Sequence, residues 1–402
     1  MKSPHLRSAG VAVVLLMAFL AGGSAYACSV ESRYVHVLAP RLLPMNIQGS
    51  ALQRSAFQQP DLLPIYGSSE LMNLAETYGA VKTFGTYPTG FAPYQVADAG
   101  VTSLIMAQAI AGVGPDVRGR KVVISFTPAM FSNTMVKPIE YGWFYSPLHA
   151  NELIFSTQLS IVTKQMASKR MLVYRDTINS DRILRFALNH LVGDSPLDIA
   201  LYVLVWPLGK LQTLLLNVQD HRETLALIDT QKNLSVQMPR RSAPIDWAAL
   251  KVKAEREQVP YANNNPYGFD NVVWSKYFQG GVVPQPAASG DIGYEYKMET
   301  SAEWTDLDLL LRVLTEVGAK PLLLSRPVNG AYWNAMGVSQ DARNAYYAHL
   351  HALAQQYRVP VVDFKAQEMD KYFSVDTLSH TSRKGWVYVN EALDAFYHGR
   401  LQ

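Results

Sequence analysis

Leu62-Leu63-Pro64-Ile65-Tyr66 ends at Gly67-Ser68-Ser69-Glu70, after which Leu71, Leu74 and Ala75 fall at helical spacing. A short apolar run, a Gly-Ser turn and a return to the helical period read as strand, tight turn, helix. The same alternation continues outward from this stretch. Val96 to Gly100 reads as a strand end followed by a helix over Leu104 to Ala111, and Lys121 to Phe126 is a β-branched strand running into Thr127-Pro128. Toward the C-terminus, Leu307 to Val317 has helical periodicity, Pro321 to Ser325 reads as a strand, Asp341 to Tyr357 as a helix and Val359 to Phe364 as another strand. Strands alternating with helices predict a parallel sheet covered on both faces, a three-layer α/β sandwich.

The middle of the chain breaks this rhythm. From about residue 154 to 253 the pattern is mostly helical, which predicts a helical insertion into the α/β domain. Within it, Leu197 to Leu216 is apolar enough to suggest a second transmembrane helix, but Asp198, Pro207 and Lys210 interrupt it. Each would be costly in lipid, so a pair of buried core helices is the preferred expectation, with an apolar hairpin on a membrane surface as the intermediate one. Asn263 to Gly268 and Gly280 to Gly290 read as loops by composition.

Nearly half of the 402 residues are apolar and 17% are charged, which is the balance of a packed globular body. The net charge of +3 is small and dispersed, and no Lys/Arg run interleaved with aromatics offers a row of phosphate contacts, so nucleic-acid binding is excluded as a function class. Lys2 and Arg7 precede an apolar stretch from Ala9 to Ala27, and Ala25-Tyr26-Ala27 has the form of a cleavage site. Residues 1–28 therefore read as a signal peptide or signal anchor, with 29–402 outside the cytoplasm by the positive-inside rule. The expected location is the cell membrane, through a single N-terminal pass. Cys28 is the only cysteine, which leaves no intrachain disulfide and no expectation of a cysteine-based metal site, and bulky Tyr26 makes a poor lipid-attachment signal.

A serine on a strand-to-helix turn at the carboxyl end of a parallel strand faces the ligand side of the sheet, beside the free N–H groups of the helix start. Ser69 is so placed; the structural alternative is that Ser68 or Ser69 merely caps the following helix. A nucleophilic serine needs a base, ordinarily a histidine oriented by a carboxylate. His380, preceded by Asp376 and followed by Ser382 to Trp386 and an amphipathic helix, combines an upstream acid with a loop setting before a terminal helix. The structural alternative for this pair is a turn residue and a surface histidine. No H-E-x-x-H pair, P-loop or dinucleotide fingerprint suggests a metal or cofactor.

With the Gly67-Ser68-Ser69-Glu70-Leu71 block near one end and His380 near the other, the sequence resembles the SGNH or GDSL hydrolase superfamily. It is similar, more closely, to the DltD family of D-alanyl transfer proteins, on that first block and on Phe126-Thr127-Pro128-Ala129-Met130-Phe131, Asn264-Asn265-Pro266-Tyr267-Gly268, Pro327-Val328-Asn329-Gly330 with Tyr332-Trp333, and His380 with Gly385-Trp386. The resemblance implies that Ser69 is the nucleophile, His380 the general base and then acid, and Asp376 the orienting carboxylate. It implies an oxyanion hole from the N–H groups of Ser69 and Gly100, the latter in Asp98-Ala99-Gly100-Val101.

Two departures stand out. The acid lies four residues before the histidine rather than three, so the loop must absorb one residue. The G-x-N-D block is absent, which removes a donor of the kind whose loss costs about 2.7–4 kcal/mol of transition-state stabilisation; Asn329 is the candidate replacement. Ser68, Glu70, Phe131, Tyr332, Trp333 and Trp386 are candidates for the substrate pocket. The implied function is transfer of D-alanyl groups through a Ser69 acyl-enzyme to teichoic acid or a similar polymer. The implied partners are a membrane-bound O-acyltransferase and its small peptidyl-type acyl donor. An esterase or thioesterase of the same fold, and a non-catalytic membrane-tethered scaffold for a D-alanine carrier and the O-acyltransferase, are the other functions compatible with these residues.

Overall fold

The computed structural model describes residues 4–401 apart from 44–46, 73–75, 133–137, 194, 232–243 and 279–289. Its sheet consists of β1 (Leu62–Gly67), β2 (Ala92–Ala97), β3 (Lys121–Phe126), β4 (Lys320–Ser325) and β5 (Val361–Val362), ordered β2-β1-β3-β4-β5. Every pairing is parallel, as the α/β alternation requires. The chain steps from β1 to β2 on one side and returns to β3 on the other, so the order reverses at β1. In open α/β sheets the ligand crevice lies beyond the carboxyl ends of the strands at such a reversal. Gly67, the last residue of β1, opens directly onto it.

All six residues of β1 are buried, and successive side chains enter different cores. Leu62, Tyr66, Val122, Ile124 and Leu323 join one cluster; Leu63, Ile65, Val123, Leu322 and Leu324 join the other. A strand buried on both faces must read as a continuous apolar run, and this one does. The described helices used below are α1 (Pro4–Leu38), α2 (Ala51–Gln58), α3 (Ser103–Val113), α4 (Pro147–Ile154), α5 (Arg182–Val192), α6 (Pro196–Gln231), α7 (Ala302–Glu316), α8 (Gln340–Tyr357) and α9 (Arg383–Tyr397). Side chains of α2, α3, α7 and α8 fill the first cluster, whereas those of α9 dominate the second. The result is the three-layer arrangement expected. Every residue of α3 is buried, between the sheet side of the core and α4 and α7.

Local differences from the expected elements have local causes. Ser69–Leu71 forms a 3₁₀ turn; Leu74 and Ala75, on which the expected helical spacing rests, lie outside the described residues. The final strand is shortened to two residues, because Pro360 lacks a donor and Phe364 adopts a left-handed φ of 47°. The loop at Gly280 to Gly290 falls almost wholly outside the described residues.

Between β3 and β4 the described residues contain helices and no strand. The expected pair of buried helices at Leu197–Leu216 is instead part of α6, one continuous 36-residue helix that runs through Pro207 and leaves most of that stretch exposed. Pro207 lies on the exposed side of α6, where its ring has room. Likewise α1 does not end at Cys28. It continues to Leu38, and its last turns are packed into the body through Val35 and Leu38.

Candidate active site

β1 delivers Gly67, and the 3₁₀ turn that follows begins at Ser69. A Cβ on residue 67 would lie 2.5 Å from both the Glu70 carboxylate and the Leu71 side chain, so only glycine fits where this turn folds back. The Glu70 carboxylate accepts the Ser68 N–H at 3.0 and 3.1 Å, and it also faces the Arg326 guanidinium at 3.5 Å. Both charged side chains are buried. Arg326 donates to the Ser125 hydroxyl at 3.0 Å and lies 4.8 Å over the Trp386 ring. Its Nε and Nη2 have no hydrogen-bond partner among the described residues. Burial pushes this guanidinium down to about 9, which leaves it charged at neutral pH. The carboxyl ends of β1 and β4 are thus tied together beneath the turn by a desolvated ion pair.

Three side chains converge above that pair. His380 Nε2 lies 2.8 Å from Ser69 Oγ, across 311 residues of sequence, and His380 Nδ1 bonds the Asp376 carboxylate. A carboxylate can only accept, so Nδ1 carries the proton and Nε2 is left to accept from the serine hydroxyl. The extra residue between Asp376 and His380 is taken up at Ser379, whose φ is +67°. Asp376 Oδ1 accepts the Leu378 and His380 N–H groups at 2.9 and 3.2 Å, so the carboxylate fastens the loop it sits on while its other oxygen holds the imidazole. The loop is closed at its base by the Ser374–Thr381 bridge and by Val375 N–H donating to the His380 carbonyl at 2.9 Å. Ser69, His380 and Asp376 are all half-buried, so the site is reachable from solvent.

The remaining expected residues divide into those near the turn and those committed elsewhere. Ser68 makes no capping bond; its hydroxyl accepts the Gly100 N–H at 3.0 Å and donates to the Asp98 carbonyl at 3.2 Å. Gly100, at φ +95°, is therefore beside the turn with its N–H already engaged. Asn329 is not joined to Ser69. Its Oδ1 caps the helix Gly330–Ala335 by accepting the Tyr332 N–H at 3.0 Å, and its amide donates to the Tyr267 carbonyl at 2.8 Å, which ties the Asn264–Gly268 block to the end of β4.

The aromatic candidates are mostly packing. Phe131 is fully buried against Trp304, Tyr346 and Phe126, Trp386 is buried under Arg326, and Trp333 packs on Tyr294. Tyr332 is half-buried, edge-on to Tyr267.

Arg326 was not among the residues singled out by sequence. Its signal was a charge one residue past the apolar run Leu322-Leu323-Leu324, in a place where a buried strand end should carry none.

Away from these residues, Cys28, Glu31 and His221 bring donor atoms within 4.8 Å of one another, a grouping not anticipated from a single cysteine. Glu31 and His221 already satisfy each other at 2.7 Å.

A family model described as DltD protein matches residues 39–398, which takes in the sheet and all three converging side chains. The chain is similar to protein DltD of Bacillus subtilis (strain 168), with 28% identity over 393 residues covering 96% of each chain. It is similar to protein DltD of Staphylococcus aureus (strain NCTC 8325 / PS 47) at 22% identity, covering 99% of this chain and 96% of that one. The DltD protein of Lacticaseibacillus rhamnosus shares 23% identity over 96% of this chain and 88% of its own length.

Proposed function

The chain belongs to the DltD family of the D-alanylation (dlt) system, and from that premise we propose that it is a serine acyltransferase working outside the cytoplasm. Ser69 Oγ attacks the carbonyl carbon of a D-alanyl group on a membrane-delivered donor, and its proton passes to His380 Nε2. The tetrahedral intermediate collapses, His380 returns the proton to the leaving group, and a D-alanyl ester remains on Ser69. A hydroxyl of a teichoic-acid-like polymer then gives its proton to His380 and attacks the ester, releasing polymer-bound D-alanine and restoring Ser69. Asp376 holds the imidazole in the required tautomer and stabilises the imidazolium. Ester exchange is near thermoneutral, so no nucleotide is consumed. The observation that carries this reading is the 2.8 Å contact between His380 Nε2 and Ser69 Oγ, with Asp376 on the opposite nitrogen.

The Ser69 N–H faces the developing oxyanion. The Gly100 N–H joins it when the substrate oxygen displaces the Ser68 hydroxyl from its 3.0 Å bond. α1 supplies the anchor that keeps the site at the membrane, where an O-acyltransferase partner and its acyl donor are met.

The test is purified full-length protein incubated with a D-alanyl ester, with and without a polyol-phosphate polymer acceptor. Acceptor-dependent D-alanylation that disappears in Ser69→Ala is expected. Release of free D-alanine regardless of acceptor would make the protein a hydrolase, and full D-alanylation in cells carrying only Ser69→Ala would make it a scaffold.

A further inference from the structure

α6 changes character halfway along. From Pro196 to Leu215 every fully exposed position is apolar, and Leu197, Val203, Leu204, Leu208, Leu211 and Leu215 are each more than half exposed. From Gln219 onward the exposed positions are mainly polar or charged, among them Gln219, Arg222, Glu223 and Asp229. The charges that interrupt the apolar half point away from the stripe: Asp198 bonds His190 at 2.8 Å and Lys210 faces Glu152 at 4.0 Å. A stripe of this size meeting water across about 27 Å of helix is not what a soluble surface carries.

The neighbouring anchor indicates what covers it. Glu31 of α1 bonds His221 of α6, and Arg41, just past α1, bonds Gln231, the last residue of α6; both pairs are separated by the same 190 residues. The segments therefore run side by side in the same direction without slipping register. On α1 the exposed apolar run ends at Tyr26, before Cys28 and Ser29; on α6 the stripe ends at Leu215, before Gln219. Carried back by the same offset, the two changes from apolar to polar fall at one level.

We infer that the stripe on α6 is immersed in lipid by that one face, so that the protein has a second membrane contact beside its anchor. This rests on α1 being the anchor. α6 enters by one face and does not span, because α5 is bound antiparallel along it through Gln212–Asp181 and Asp198–His190 and carries exposed Arg182, Arg185 and Asn189. A spanning α6 would draw those groups into hydrocarbon. The immersed face would hold the catalytic domain in a fixed orientation on the bilayer, where a single flexible tether would not.

Full-length protein with Cys28→Ser and one new cysteine, reconstituted alone in phosphatidylglycerol/phosphatidylcholine vesicles, tests this. Fluorophores at Leu204→Cys and Leu211→Cys should be quenched by nitroxide lipids as strongly as one at Phe19→Cys in α1, and several-fold more than one at Arg222→Cys. Quenching at residue 19 alone overturns the inference and spares the anchor; quenching at neither removes the anchor reading as well. Shielding of residues 204 and 211 in native membranes but not in pure lipid would assign the face to a membrane protein, and also overturns it. Wild-type protein cross-linked by lipids with a photoreactive acyl chain gives the same reading without substitution: adducts within residues 197–215 are expected, and adducts confined to α1 contradict it.

Discussion

At the carboxyl edge of the sheet a glutamate and an arginine are buried where apolar residues would be expected; along α6, leucines are exposed where polar residues would be expected. Each region breaks the rule the other follows, and each can be understood by asking what surrounds it. Around Glu70 and Arg326 the surroundings are protein, and the charges are compensated by one another, by the Ser68 N–H, by Ser125 and by the Trp386 ring. Leu204 and Leu208 are left mostly uncovered by the described residues. A buried charge pair without its partner is strongly destabilising, whereas an exposed leucine contributes almost nothing to folding in water. The two regions therefore differ in how the molecule responds to substitution.

The largest effect belongs to the residues above the buried pair. Ser69→Ala should lower D-alanyl transfer by roughly 10³-fold or more without changing the Tm, measured as acceptor-dependent transfer by purified protein. Asp376→Asn should follow with a loss of roughly 10²–10⁴-fold, because an amide oriented to donate would hold His380 in the wrong tautomer. Beneath them, Glu70→Ala should cost about 3–5 kcal/mol in denaturant unfolding by leaving Arg326 uncompensated, and the double variant Glu70→Gln/Arg326→Met should recover part of that loss.

The core also contains a fully buried His149 on α4, which burial pushes down to about 3. Since its folded value is below the ordinary 6.5, the unfolded chain takes up a proton first. Stability is therefore lost as pH falls from about 6.5 toward 3, and His149→Gln should flatten that part of the urea-midpoint profile between pH 7 and pH 5. The smallest effect is expected on α6. Leu204→Gln should change stability in detergent by no more than about 0.5 kcal/mol, against about 2–5 kcal/mol for Leu310→Ala in the core. A large loss at Leu204 would mean that the stripe packs on protein.

The sheet was legible because its strands are buried on both faces and read as unbroken apolar runs: β3 covers the residues expected, and β4 begins one residue earlier. The 3₁₀ turn over Ser69–Leu71 was not, since a three-residue turn fastened by the Glu70 carboxylate has no periodicity to read. The residue types at Ser69, Asp376 and His380 suggested a nucleophile, an acid and a base, but only the crossing of the sheet by the chain brings position 69 to position 380. The left-handed Ser379 that accommodates the longer Asp-to-His spacing leaves no trace in sequence. Asn329 drew attention as an amide near a strand end, yet amides also cap helices, and that competing use is the one found. The same ambiguity concealed α6: composition alone does not distinguish an apolar segment that turns inward from one that meets lipid.

The most direct test is mass spectrometry of the peptide carrying Ser69 after full-length protein is exposed to a D-alanyl donor and quenched in acid. A hydroxylamine-labile alanyl ester on Ser69, absent from Ser69→Ala and discharged by adding polymer acceptor, is the predicted result. Transfer to the polymer proceeding at full rate with Ser69 unmodified, or with the adduct on another side chain, would contradict the account.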